Sequence, residues 1–322
     1  MIVLIVAEEA AGVQALRCVG GRDDVRIAAV LTSQDDRRGA SVAGAAARLG
    51  LPLRDPRLVR SPDFAGWIEE AGVDLLLNVH SLEIADAAVA AAPRIGSFNL
   101  HPGPLPELAG LNAPSWAICA GRDRHAVTLH WMMAGVDTGP IAYEAWFDVA
   151  PSDTGLRVSA NCVRHGIPLL ERLLADARRG ADAIPAREQD LARRRWHGRE
   201  APYEGRVPWG LPARAVVDFV RASDYAPFPS PWGRPRATLD GVELEVVGAA
   251  RSGERADAPP GTIGAARDDG VPVAAADEWV LVQRLRRDGE RAAPAEALPA
   301  GRRFAVEDHR SVDRTSEEVG LP

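Results

Sequence analysis

A chain of 322 residues, 46% hydrophobic and 26% charged, is long enough for two cores and has an ordinary globular composition. Its formal net charge of −7 offers nucleic acid no global attraction, and no apolar run approaches the roughly 18–20 residues that cross a bilayer. Cys18, Cys119 and Cys162 stand in apolar helical contexts without pairing or metal-ligand spacing, so the reading is a soluble cytoplasmic protein with inert thiols and no metal.

The opening "MIVLIVAEEAAG" has no basic leader and reads as a strand running into a helix through Leu16. "VRIAAVLT" then leads to a helix around Val42 to Leu49, and "PLRD" to one from Pro62 to Ala71. "DLLLNVH" leads to a helix around Ile84 to Ala91, and "GSFNLH" follows. Strand and helix alternating in this way, with apolar strands, predict a doubly wound, mostly parallel α/β sheet covered on both faces. Two further strands, "AVTLHWMM" and "GPIAYEAWFDV", precede a long helix from about Thr154 to Arg179, whose apolar face carries Leu156, Val163, Ile167, Leu170 and Leu174.

After Gly180 the texture changes. Residues 181–208 are charged, punctuated by proline and without period, which reads as a linker. A helix, "ARAVVDFVRAS", and short strands with glycine and Asp-Gly turns then suggest a small β-barrel-like domain over 209–306, with a polar tail at 307–322. The catalytic candidates all fall in a first domain of residues 1–180.

The βαβ texture invites a dinucleotide, but the first strand runs into "AEEAAGVQAL" with no GxGxxG, and its paired glutamates would repel a pyrophosphate. No Walker A sequence occurs either. What stands out is "FNLHPGPLPELAG". Asn99 and His101 alternate with Phe98 and Leu100, so both face one side at a strand end, and Pro102, Pro104 and Pro106 stiffen the turn behind them. Asp137, in "AGVDTGPIA", lies on a glycine-flanked turn that can fold back toward them. Singly, each residue has a plain structural reading: a turn former, a satisfied polar residue, a turn aspartate. Together they suit acyl transfer to an amine. An amide N–H can donate to a developing oxyanion, an imidazole can take the proton of the attacking nitrogen, and a carboxylate can orient that imidazole.

"FNLHPGPLPELAG" followed by "AVTLHWMMAGVDTGPIA" resembles the folate-dependent formyltransferase family, and "GRVPWGLPARAVVDFVRA", "PPGTIG" and "AEALPAGRRF" resemble the C-terminal domain of its methionyl-tRNA formyltransferase-like members. The resemblance implies 10-formyltetrahydrofolate as cosubstrate. It implies that Asn99 holds the formyl oxygen, that His101 acts as base or oxyanion stabiliser, and that Asp137 orients His101 and assists protonation at N10. It also places the pterin against the loop of Leu82, Glu83 and Ile84, with Gly135 and Val136 as the opposite wall. Asn112, Trp116 and His130 are candidate acceptor contacts, each with a structural alternative: Asn112 as a helix cap, Trp116 as core, His130 as an ordinary strand residue.

The acceptor is open. Residues 31–50 are short and balanced in charge where the tRNA enzymes carry an inserted basic loop, and "LAGLNAPSWAI" is closer to the sugar enzymes and the formylation domains of peptide synthetases. The expectation is therefore a small-molecule amine or a carrier-borne aminoacyl group in specialised (natural product) metabolism. Methionyl-tRNA and sugar amines are the alternatives; formyltetrahydrofolate hydrolysis and a non-catalytic folate- or carrier-binding module are less favoured. Activity is expected to fall below about pH 6.5, the reference for histidine.

Overall fold

The computed structural model describes residues 1–33 and 41–307. Residues 34–40, part of the stretch read against an inserted basic loop, and nearly all of the expected polar tail lie outside these residues. The chain divides into two compact units. The first comprises Met1–Gly110, His125–Phe147 and Ala160–Trp196, and the second comprises Leu111–Arg124, Asp148–Ser159 and the chain from His197. Two inserts of the N-terminal half thus belong with the C-terminal unit. The bounds read from texture, a domain over 1–180, a linker over 181–208 and a second domain over 209–306, differ from this division, because texture records local composition and not which segments pack together.

The first unit is built on a seven-stranded sheet. Its strands are β1 (Ile2–Ala7), β2 (Arg26–Leu31), β3 (Leu53–Arg54), β4 (Leu75–Val79), β5 (Gly96–His101), β7 (Arg124–Trp131) and β8 (Ile141–Asp148), in the order β3-β2-β1-β4-β5-β7-β8. A short strand, β6 (Ala109–Gly110), pairs with β9 (Trp196–His197) outside this sheet. The block from β3 to β5 is parallel, and β7 runs antiparallel to β5. Leu4, Leu76, Leu77 and Phe98 are sealed from water, as expected for strands covered on both faces. The intervening helices are α1 (Glu9–Gly20), α2 (Val42–Arg48), α3 (Phe64–Glu70) and α4 (Ala87–Ala91). Ser41 and Asp86 cap α2 and α4, accepting from the N–H groups of Gly44 and Ala88.

A seven-residue helix, α5 (Ala113–Cys119), lies within the second unit, and the long helix α6 (Gly155–Ala177) follows β8. Gly166 of α6 lets that helix approach the sheet closely, since a Cβ there would sit 3.1 Å from Leu100 and 3.2 Å from Val127. The second unit continues with α7 (Ala213–Ala222) and an antiparallel sheet of β10 (Arg236–Leu239), β11 (Val242–Arg255), β13 (Glu278–Arg287) and β12 (Val271–Ala274), with β14 (Glu290–Ala292) on β13. Its core gathers Trp209, Val216, Val220, Val246, Val280 and Phe304. Among the described residues no helix is long and apolar enough to cross a membrane.

Candidate active site

Asn99 and His101 lie at the carboxyl end of β5, next to β4 in the sheet, and α/β sheets bind ligands beyond the carboxyl ends of their strands. The alternation along β5 puts Asn99 and His101 on one face, and the register sets His130 of β7 opposite Asn99 and Thr128 opposite His101. Thr128 donates to Gly103 O at 2.7 Å and His125 Nε2 lies 2.9 Å from Pro102 O, so β7 also anchors the proline turn.

Asp137 occupies the centre of this group, 6% exposed and in the left-handed backbone region at φ 57°. Its Oδ1 accepts from Asn99 Nδ2 at 3.3 Å and lies 3.4 Å from His130 Nε2. Its Oδ2 accepts from Gly110 N–H at 2.8 Å and lies 3.6 Å from His101 Nδ1. Burial alone would raise this carboxyl, but the imidazoles of His101 and His130 and the Gly110 N–H outweigh it and hold it below the ordinary carboxylate range.

The tautomers follow from the fixed carbonyls. His130 Nδ1 faces Trp131 O at 2.8 Å and must carry a proton, so in the neutral ring Nε2 is the nitrogen that accepts from Asn99 Nδ2 at 3.0 Å. His101 Nε2 faces Leu108 O at 2.7 Å and is likewise protonated, so in neutral His101 the bare nitrogen is Nδ1, the one turned to Asp137. Leu108 O therefore sets the ring's orientation. Asp137, beyond hydrogen-bond reach in this state, is placed to receive the charge when Nδ1 gains a proton. Burial lowers the His101 pKa, against the opposing pull of Asp137.

The expected residues separate into groups. Asn99, His101 and Asp137 come together, and His130, read as an acceptor contact, sits among them. Leu82 and Ile84 project from the loop after β4, 65% and 66% exposed, while Glu83 pairs with Arg60. Gly135 has φ 98°, and Val136 O accepts from Arg194 at 3.1 Å. Asn112 and Trp116 belong to the second unit. Asn112 stands at the start of α5 with φ 60° and its side chain makes no cap bond; Trp116 stacks on His197 at 4.4 Å and meets Trp232 edge-on at 4.9 Å.

Sequence reading misses the strap. Within the supposed linker, Gln189 Nε2 donates to Asp137 O at 3.0 Å and Gly139 O at 2.6 Å, and Arg187 bridges Ile141. Arg195 N–H donates to Pro106 O and Ala109 N–H donates to Arg195 O. One segment thus ties down both loops of the site. Gly139 is required at its position because a Cβ would lie 1.9 Å from Trp131 O. Gly139→Ala should cost roughly 1–3 kcal/mol by forcing that turn open; a urea midpoint equal to that of the parent would contradict this packing. Among the described residues no group of three or more His, Cys, Asp or Glu could hold a metal ion.

The formyl transferase family profile matches residues 1–169, and the profile of the formyl transferase C-terminal domain matches residues 201–303. A methionyl-tRNA formyltransferase of Sorangium cellulosum is 30% identical over 260 residues, covering 80% of this chain and 81% of its own. Among solved structures, the N-formyltransferase from Helicobacter canadensis in complex with folinic acid and dTDP-3-aminofucose superposes with a TM-score of 0.66 at 15% identity, covering 88% of this chain and 99% of that one. HypX from Aquifex aeolicus in complex with tetrahydrofolic acid gives a TM-score of 0.59 at 20% identity, covering 92% of this chain and 46% of that one. With both halves of the sequence matched in order, and the fold shared with solved formyltransferases, the chain belongs to the formyl transferase family.

Proposed function

We propose that this chain moves a formyl group from 10-formyltetrahydrofolate to a primary amine, on a small molecule or a carrier-borne aminoacyl group. The observation that carries the reading is the buried carboxylate of Asp137, bracketed by His101, His130 and the amide of Asn99. The neighbours solved with folinic acid and tetrahydrofolic acid support the folate. So do the projecting side chains of Leu82 and Ile84, two apolar faces for a flat heterocycle, with Gly135 and Val136 as the opposite wall. Because the Glu83 carboxylate is engaged by Arg60 and its backbone N–H donates to Ser81 Oγ at 3.3 Å, its backbone carbonyl is the part left to read the pterin edge.

In this reading Asn99 donates to the formyl oxygen as charge develops there, releasing one of its present acceptors, His130 Nε2 or Asp137 Oδ1. His101 collects the amine proton at Nδ1 and is balanced by Asp137. The new C–N bond forms at the amine as the bond from formyl carbon to N10 breaks. The proton that the amine loses is the one N10 gains, so the transfer is balanced.

The relatives' names favour a second reading, a tRNA-borne amine. Against it stands the use already made of the basic run in the strap: Arg193 pairs with Glu107, while Arg194 donates to Val136 O and lies over the Trp196 ring at 5.1 Å. Cations spent internally add little to phosphate binding. Asn112 and Trp116 remain candidate acceptor contacts.

A panel of amines incubated with 10-formyltetrahydrofolate, scored for the mass of one added formyl group, tests the proposal. An α-amino group has a reference pKa of about 7.7–8.0, lowered further when its carboxylate becomes an ester or thioester, so more of it is free base at neutrality. An aminoacyl thioester or ester, or an amino sugar, should exceed the free amino acid by at least about tenfold in kcat/KM. Equal rates would remove the carrier-borne acceptor. Formate release without amine would make the chain a hydrolase, and binding without turnover of any amine would make it a binding module.

A further inference from the structure

We infer that Asn78 is a further substrate-binding residue of this site, its Oδ1 accepting a hydrogen bond from an N–H of bound substrate. The inference rests on the formyl-transfer reading above and deepens it. Asn78 interrupts a strand otherwise made of Leu75, Leu76, Leu77 and Val79, all sealed from water. It stands in register with Asn99 across the parallel pair of β4 and β5, so the two amides share one face of the sheet, and His130 completes the row on β7. The spacing Asn78-Val79-His80 repeats Asn99-Leu100-His101 one strand away. The repetition ends at His80, which leaves the strand with φ 57° and lies 3.9 Å from Glu9.

Asn78 is 8% exposed, and among the described residues no donor reaches its Oδ1. Asn99 cannot serve, because its Nδ2 turns to His130 and Asp137 on the β7 side. A buried carbonyl oxygen without a donor costs stability that a leucine would not, so the amide works against the strand that carries it. That cost is recovered when a ligand brings the donor. Both substrates carry N–H groups to the neighbourhood of Asn99: the ring nitrogens of the reduced pterin and the attacking amine.

The test uses the full chain with Asn78→Leu, which keeps the branched shape of the side chain without its polar atoms, and Asn78→Ala, which adds no bulk beside Asn99. Three quantities are measured: the thermal midpoint without ligand, the Kd for folinic acid by calorimetry, and the KM for the best acceptor of the amine panel. Asn78→Leu should keep or raise the midpoint. Both variants should weaken by about tenfold or more either the folinic acid Kd, which assigns the donor to the pterin, or the acceptor KM alone, which assigns it to the amine. If both constants stay within twofold of the parent's in both variants, Asn78 has no part in binding and the inference falls, whatever the midpoint does. A parent chain that does not bind folinic acid would instead remove the folate reading, and this inference with it.

Discussion

Replacing His101 by alanine is expected to lower turnover by roughly 10²–10⁴ while leaving the chain folded. The ring is 3% exposed, locked at Nε2 by Leu108 O, and offers Nδ1 as the one basic position facing Asp137. His130 also turns a ring nitrogen to Asp137, its Nε2 lying 3.4 Å from Oδ1, but that nitrogen is already engaged by Asn99 Nδ2 at 3.0 Å. A folded variant, judged by circular dichroism, that turned over at the parent's rate would take His101 out of the mechanism. The pH profile carries a second check. Because burial lowers the His101 pKa, the neutral ring persists below its ordinary value of about 6.5. With an acceptor whose own amine has a low pKa, the acid limb should therefore fall below pH 6.5, not at the reference histidine value that sequence alone suggests. A limb at or above 6.5 would mean that another group governs it.

Asp137→Asn is expected to lower turnover by about 10³ with little change in volume. The carboxylate accepts from Asn99 on one oxygen and from Gly110 on the other, so an amide must present N–H to one of these donors. The substitution also removes the charge that raises the His101 pKa, which should move the acid limb still lower. A rate within tenfold of the parent's would show that Asp137 only shapes the turn.

The parts of the site readable from sequence were those whose spacing implies geometry. Asn99 and His101 alternate along a strand, and Asp137 sits on a glycine-flanked turn; two-residue periodicity and turn chemistry are local properties. His130 reads as an acceptor contact because its place beside Asn99 depends on the antiparallel register of β5 and β7, which no local pattern specifies. Asn78 hides in the opposite way: one polar residue in an apolar run passes as a strand blemish until the register puts it beside Asn99. Residues 187–196 have neither helical nor strand period, so composition calls them a linker, yet their backbone and the Gln189 side chain close the site. The same limit holds for α5, whose apolar residues say that it is buried and not that it belongs to the second unit.

That closing segment has a consequence for how the protein is made. The Asp137 loop and the proline turn are synthesised well before the residues that fasten them: Gln189 follows Asp137 by 52 positions, and Arg195 comes still later than Pro106. At a translation rate of about 5–20 residues per second, the Asp137 loop waits for roughly 3–10 s before its clasp exists, and the proline turn waits longer. During that interval the left-handed backbone at Asp137 has no Gln189 to hold it. A ribosome-bound chain with the strap not yet made would present the proposed catalytic side chains without their final geometry, so activity should arise late in synthesis, when the residues around 196 become free to dock.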